Sequence, residues 1–171
     1  NRFKELTAED RAFVENYSMR SGYAPTYSMW GEVQDCVAIA NGIYSVSTAS
    51  HGGFMVDAEL AQHILSLEAL KAGQFENGYY CYEEDCDKNI AIRELYDKGI
   101  LTQDNQYFTR SFVRPDGENG GYKPFTSLSD EEKEQFFKEW NKTVDESLAY
   151  WNKEYWQAHE GKLPIEDKPS E

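Results

Sequence analysis

The sequence predicts an α+β fold: a small antiparallel sheet packed with helices and joined by a long C-terminal amphipathic helix. Three observations predict it. The runs Cys36-Val37-Ala38-Ile39-Ala40 and Ile43-Tyr44-Ser45-Val46-Ser47-Thr48 flank Asn41-Gly42, a pair that tolerates the positive φ angles of a type I′ hairpin turn. Asp57 can cap a helix whose Leu60, Ile64, Leu65 and Leu67 form an apolar face and which stops at Gly73. Ser129 and Glu132 then make a capping box, after which Phe137, Trp140, Val144, Leu148, Trp151 and Tyr155 recur at helical steps to about His159.

The remaining elements follow in order. Thr7 and Asp10 start a first helix, with Phe13 and Tyr17 one turn apart, and it stops before Gly22. Residues Ser21 to Ser28, with Gly22 and Pro25, form a loop that delivers Trp30 to the sheet. A short aromatic strand covers Tyr79 to Tyr82. A third helix carries Ile90, Ile92, Leu95 and Tyr96 and ends at Gly99. Tyr107 to Arg114 reads as a further strand, followed by a loop containing Pro115, Gly117, Gly120 and Gly121. With no internal repeat and no dividing linker, residues 1–162 are expected to form one domain and residues 163–171 a tail.

Composition bounds the function. A chain of 171 residues, 40% hydrophobic and 15% aromatic, supports a packed core despite a net charge of −14. At this length about 70% of the unfolded surface is expected to be buried without help from a metal or a disulfide. Three cysteines, Cys36, Cys81 and Cys86, are too few for a stapled secreted domain and point to the cytoplasm. No apolar run reaches the span of a membrane helix, and Asn1 to Glu5 lack a signal peptide's apolar segment. Thirty-one carboxylates against seventeen Lys and Arg repel a nucleic-acid backbone, so direct nonspecific DNA binding and membrane binding are not expected. Such a surface suits a protein partner whose own basic surface holds nucleic acid; the plainer role of the charge is solubility. The excess is spread along the chain: residues 126–171 hold twelve acids and six bases, residues 1–80 ten and five.

Two segments carry candidate chemistry. Ser50-His51-Gly52-Gly53 follows the second hairpin strand, where the glycines let backbone amides approach a ligand and His51 can move a proton or bind a metal. The alternative is a tight turn with a hydrogen-bonded histidine. Glu83, Glu84, Asp85 and Asp87 lie between a predicted strand and a helix, where carboxylates can hold Mg²⁺ or Mn²⁺. They equally suit the positive end of a helix dipole. As an enzyme, the chain would use His51 and Glu84 as catalytic groups, with Glu83, Glu84 and Asp85 on the metal. As a binding module, it would use Ser50, Gly52, Gly53, Glu83 and Asp87, with no cofactor. Cys81 and Cys86 lack the second ligand pair of a zinc site, and no phosphate loop, dinucleotide fingerprint or nucleophile elbow is present.

Trp30-Gly31, Ser47-Thr48-Ala49-Ser50-His51-Gly52-Gly53 and Tyr82-Glu83-Glu84-Asp85-Cys86-Asp87 together resemble a family carried on plasmids, conjugative elements and phages of Gram-positive bacteria. The likeness spans roughly residues 30–100. The acidity and this setting are similar to those of anti-CRISPR proteins that disable type II effectors. The resemblance implies an inhibitor that mimics nucleic acid or attacks guide RNA, and assigns no catalytic residue. The expected function is therefore inhibition of a defence nuclease through its basic channel. The alternatives are a metal-dependent ribonuclease that cuts guide RNA and a conjugation or replication accessory protein that assembles through its aromatic helix.

Overall fold

The computed structural model describes residues 6–17, 24–84, 87–115 and 120–159, with side chains described up to Tyr150. Helix α1 (Ala8–Asn16) starts where Thr7 accepts the Asp10 amide at 3.0 Å. Two two-residue strands, β1 (Tyr27–Ser28) and β2 (Gly31–Glu32), pair across Met29 and Trp30.

The antiparallel sheet expected from the sequence has five strands. Strands β3 (Asp35–Ala40), β4 (Ile43–Ser47), β5 (Gly52–Asp57), β6 (Gln74–Glu76) and β7 (Tyr79–Glu83) stand in the order β3-β4-β5-β7-β6. The hairpin at Asn41-Gly42 forms, but not as a type I′ turn. Only Gly42, at φ 89°, lies in the left-handed region, and the ladder shifts register between Ala38 and Ala40 to accommodate the turn. The type I′ signature belongs to another hairpin, β6 to β7. There Asn77 (φ 50°) and Gly78 (φ 85°) both take positive φ between the paired Glu76 and Tyr79.

The strand β5 was not foreseen. It is central and buried along Gly52–Val56, because neighbours on both edges satisfy its backbone and both its faces are covered. Helices α2 (Ala58–Ile64) and α4 (Lys88–Asp97) both pack against it. The segment expected as one helix after Asp57 is two, α2 and α3 (Leu67–Ala72), and Leu67 is exposed rather than part of the apolar face. The break falls at Ser66, whose hydroxyl caps α3 by accepting the Ala69 amide at 3.1 Å. Buried Glu94 on α4 holds Ser66 there, accepting its amide at 2.7 Å and its hydroxyl at 2.6 Å. Buried Lys98 lies 3.5 Å from Glu94 and donates to the Ile64 carbonyl.

Residues Tyr107 to Arg114 do not form the expected strand. Asn105 accepts the Tyr107 amide at 2.9 Å and starts a single helical turn, α5 (Gln106–Thr109). Only β8 (Phe112–Val113) is extended, paired with β9 (Lys123–Pro124). The long helix α6 (Asp130–His159) begins with the expected capping box: Glu132 donates its amide to the Ser129 hydroxyl, and its carboxylate accepts the Ser129 amide, each at 3.1 Å. Its apolar stripe packs on α3 and α4, with Trp140, Val144 and Leu148 buried, whereas the side chains of Trp151 and Tyr155 lie outside the described residues. Burying Val144 completely contributes about 2 kcal/mol. Residues 163–171, expected as a tail, also lie outside the described residues. Among the described residues no helix is long and apolar enough to cross a membrane.

Candidate functional site

The turn joining β4 to β5 spans Thr48 to His51. The Thr48 amide donates to the His51 carbonyl at 2.7 Å, while the Thr48 hydroxyl accepts the His51 amide at 3.1 Å. Thr48 therefore closes this turn through its amide and its hydroxyl, and the His51 imidazole and Ser50 are left exposed. Beyond it, Gly52 and Gly53 form no loop. They begin β5, opposite Ser47 and Val46 on β4, and Gly53 stands opposite Glu83 on β7.

Their lack of a side chain has a packing cause. A Cβ on Gly53 would fall 2.1 Å from the Tyr82 carbonyl oxygen and 2.7 Å from the Trp30 ring. One on Gly52 would fall 2.6 Å from the Val46 carbonyl oxygen. Both residues are buried, so the role foreseen for them as ligand-facing glycines is replaced by close approach of backbone and indole.

The β5–β7 pairing brings the two candidate segments to one end of the sheet. His51 Nδ1 lies 3.8 Å from Glu83 Oε1, and the Glu84 amide donates to the Gly52 carbonyl at 2.9 Å. Glu84 carries its carboxylate beside the same turn, with Oε2 3.3 Å from the Cβ position of Gly52. Both His51 and Glu84 are exposed and Glu83 is partly so, giving an open juxtaposition of one imidazole and two carboxylates. Asp87 differs. It is buried at the start of α4, its amide donating to the Glu83 carbonyl at 3.0 Å, so its side chain is not available as a surface contact. Asp85 and Cys86 lie outside the described residues. Among the described residues no group of three His, Cys, Asp or Glu is placed to hold a metal ion.

Residues 23–170 match the family model described as a domain of unknown function (DUF7007). The chain belongs to this family. No curated protein and no solved structure matches it significantly. The DUF7007 match includes the Trp30 cover, the His51 turn and the Glu83-Glu84 segment, and it extends through α6.

The two described cysteines are quiet. Cys36 and Cys81 are free thiols, and burial pushes Cys81 up to about 12. Cys36 is raised too, by burial and then by the neighbouring Asp35 charge. A thiol held protonated is a poor nucleophile and metal ligand.

Sequence reasoning missed a cavity of about 350 Å³ where the starts of α4 and α5 face α6. Its walls include Tyr107, Phe108, Phe136 and Trp140. Neither this cavity nor a second one between α1 and the β3–β4 turn is lined by His51, Glu83 or Glu84. The pattern Tyr107-Phe108 was visible, but as strand propensity rather than as a wall.

Proposed function

We propose that this DUF7007 domain is an acidic binding protein, borne by a mobile element, that occupies the basic nucleic-acid channel of a cytoplasmic defence nuclease, a type II CRISPR effector. One observation carries the reading: Asp87 and Glu94 are the only buried carboxylates among the described residues, so the negative charge of the described chain is displayed outward. Glu84 just past the end of β7 and Asp130, Glu131 and Glu134 on the first turns of α6 are exposed parts of that display. An array of surface carboxylates complements a channel built for phosphates, and it accelerates encounter as well as setting register. Displacement of labelled target DNA from a guide-loaded effector tests it. The domain is expected to displace DNA, and an effector that keeps its DNA at saturating domain removes the proposal.

A second reading is favoured by the 3.8 Å approach of His51 to Glu83. In it the domain is a metal-dependent ribonuclease acting on guide RNA, with His51 as general base or ligand and Glu84 beside the ion. The exposure of His51 and Glu84 favours binding over catalysis, since general acid-base groups gain from a site that excludes water.

A further inference from the structure

We propose that the cavity where α4 and α5 face α6 binds an α-amino acid with an aromatic side chain, its ring against the aromatic wall, its carboxylate on Arg114 and its ammonium on Glu139. The inference goes beyond the acidic-surface reading and does not depend on it, because none of the carboxylates of that reading lines the cavity.

The wall follows from helix periodicity. Phe136, Glu139, Trp140 and Thr143 stand at three- and four-residue steps on α6, so one stripe of the helix lines the cavity and carries a carboxylate among its rings. Phe108 on α5 meets that stripe with its ring centroid 6.5 Å from that of Trp140, and Phe136 lies 6.0 Å from Trp140. These rings bound a space of about 350 Å³, in the range of small-molecule sites. Phe112 on β8 also lines it but remains 66% exposed, so the folded domain leaves this ring largely in water. A planar apolar group set against it removes that surface from water and gains ring–ring contact.

The charges of the lining decide the ligand's class. Lys88 is engaged over the Tyr107 ring at 5.6 Å. Arg114 and Glu139 are both exposed, and neither forms an ion pair with the other or with another described residue. The Arg114 guanidinium lies 4.4 Å from the Tyr122 ring centroid, a contact that holds the cation in place without using its N–H donors, which remain for a carboxylate. Glu139 is steadied by one bond, its Oε1 accepting the Gln135 side-chain amide at 3.2 Å, and its other oxygen remains for an ammonium.

A cation and a carboxylate that share one cavity without pairing are complementary to a ligand that carries both charges. A purely anionic ligand would face Glu139, and a purely cationic one Arg114. The rings beside them add the demand for an aromatic body. An aromatic α-amino acid has all three features on one small frame.

The test titrates the whole chain by calorimetry with phenylalanine, tyrosine and tryptophan, then with alanine and with the amide and the N-acetyl form of the tightest binder. At least one aromatic amino acid is expected to bind at millimolar concentration or below. The analogues, which lack the ring, the carboxylate and the ammonium charge in turn, should each bind roughly tenfold or more weakly. Arg114→Ala should erase the preference over the amide, and Glu139→Gln the preference over the N-acetyl form, whereas a merely structural effect would weaken all ligands alike. Phe112→Ala should weaken every aromatic ligand by about fivefold. All three side chains are exposed, so the variants keep the fold, which thermal melting verifies. Three results overturn the proposal: no aromatic amino acid binds at millimolar concentration, alanine binds as tightly as the aromatic amino acids, or the two preferences survive in Arg114→Ala and Glu139→Gln.

Discussion

The indole of Trp30 lies against the bare backbone of Gly53, so close that a Cβ there would meet the ring at 2.7 Å. Trp30 reaches this position on the turn between β1 and β2, where the Ser28 hydroxyl accepts its amide at 3.2 Å and donates to the Gly31 carbonyl at 2.9 Å. The Trp30-Gly31 and His51-Gly52-Gly53 segments are thus two halves of one packing contact, and that contact seats the turn bearing His51.

Gly53→Ala should therefore destabilise the domain by about 2–3 kcal/mol through overpacking against Trp30 and the Tyr82 carbonyl. Urea unfolding measures it. A cost near zero would return Gly53 to the role of a residue kept small for a ligand.

Removal of Glu94 strands Lys98 in the interior beside the Ile64 carbonyl. Glu94→Ala is expected to cost about 3–5 kcal/mol, and Ser66→Ala about 1–2 kcal/mol through the lost cap of α3. Because both residues share one bond network, a double-mutant cycle should show strong non-additivity. Additive losses would mean that the network does not act as a unit.

The sheet should fail in alkali. Burial pushes Tyr79 and Cys81 each up to about 12, above the values they take in an unfolded chain. Stability from keeping them neutral is fully present below the unfolded values and is lost as pH rises through the folded ones. Melting temperature should fall steeply from about pH 9 upward, and Cys81→Ala should flatten part of the fall. A melting temperature unchanged up to about pH 11 would contradict this.

His51→Ala and Glu84→Ala should leave stability within about 0.5 kcal/mol, since both side chains are exposed. Neither should impair binding through loss of chemistry. Cleavage of guide RNA that vanishes in both variants and with a chelator would transfer the site to the ribonuclease reading.

Much of this fold is written locally, and the candidate site is not. The capping boxes at Thr7 and Ser129, the α4 stripe through Ile90 and Leu95, and the first hairpin all rest on residues a few positions apart. Asn77-Gly78 carried the same hairpin signal, with the true type I′ angles, yet the short Gln74–Glu76 strand before it was hidden behind the helix end at Gly73. Gly73 itself stays bare because a Cβ would fall 2.7 Å from the Tyr82 ring, a contact no local pattern encodes. Two glycines concealed β5, since glycine weakens a strand pattern unless a distant residue such as Trp30 requires the space. Tyr107 and Phe108 have strand propensity, but Asn105 caps a helical turn and the rings go to the wall facing α6. The approach of His51 to Glu83 depends on the pairing of β5 with β7, which brings residues 32 positions apart to one end of the sheet.

The most direct measurement of the central claim is the affinity of the domain for a guide-loaded type II effector across a salt series. Binding carried by exposed carboxylates should weaken by an order of magnitude or more between roughly 50 mM and 200 mM salt. Affinity that stays constant over that series, or no binding at its lowest salt, would contradict the account.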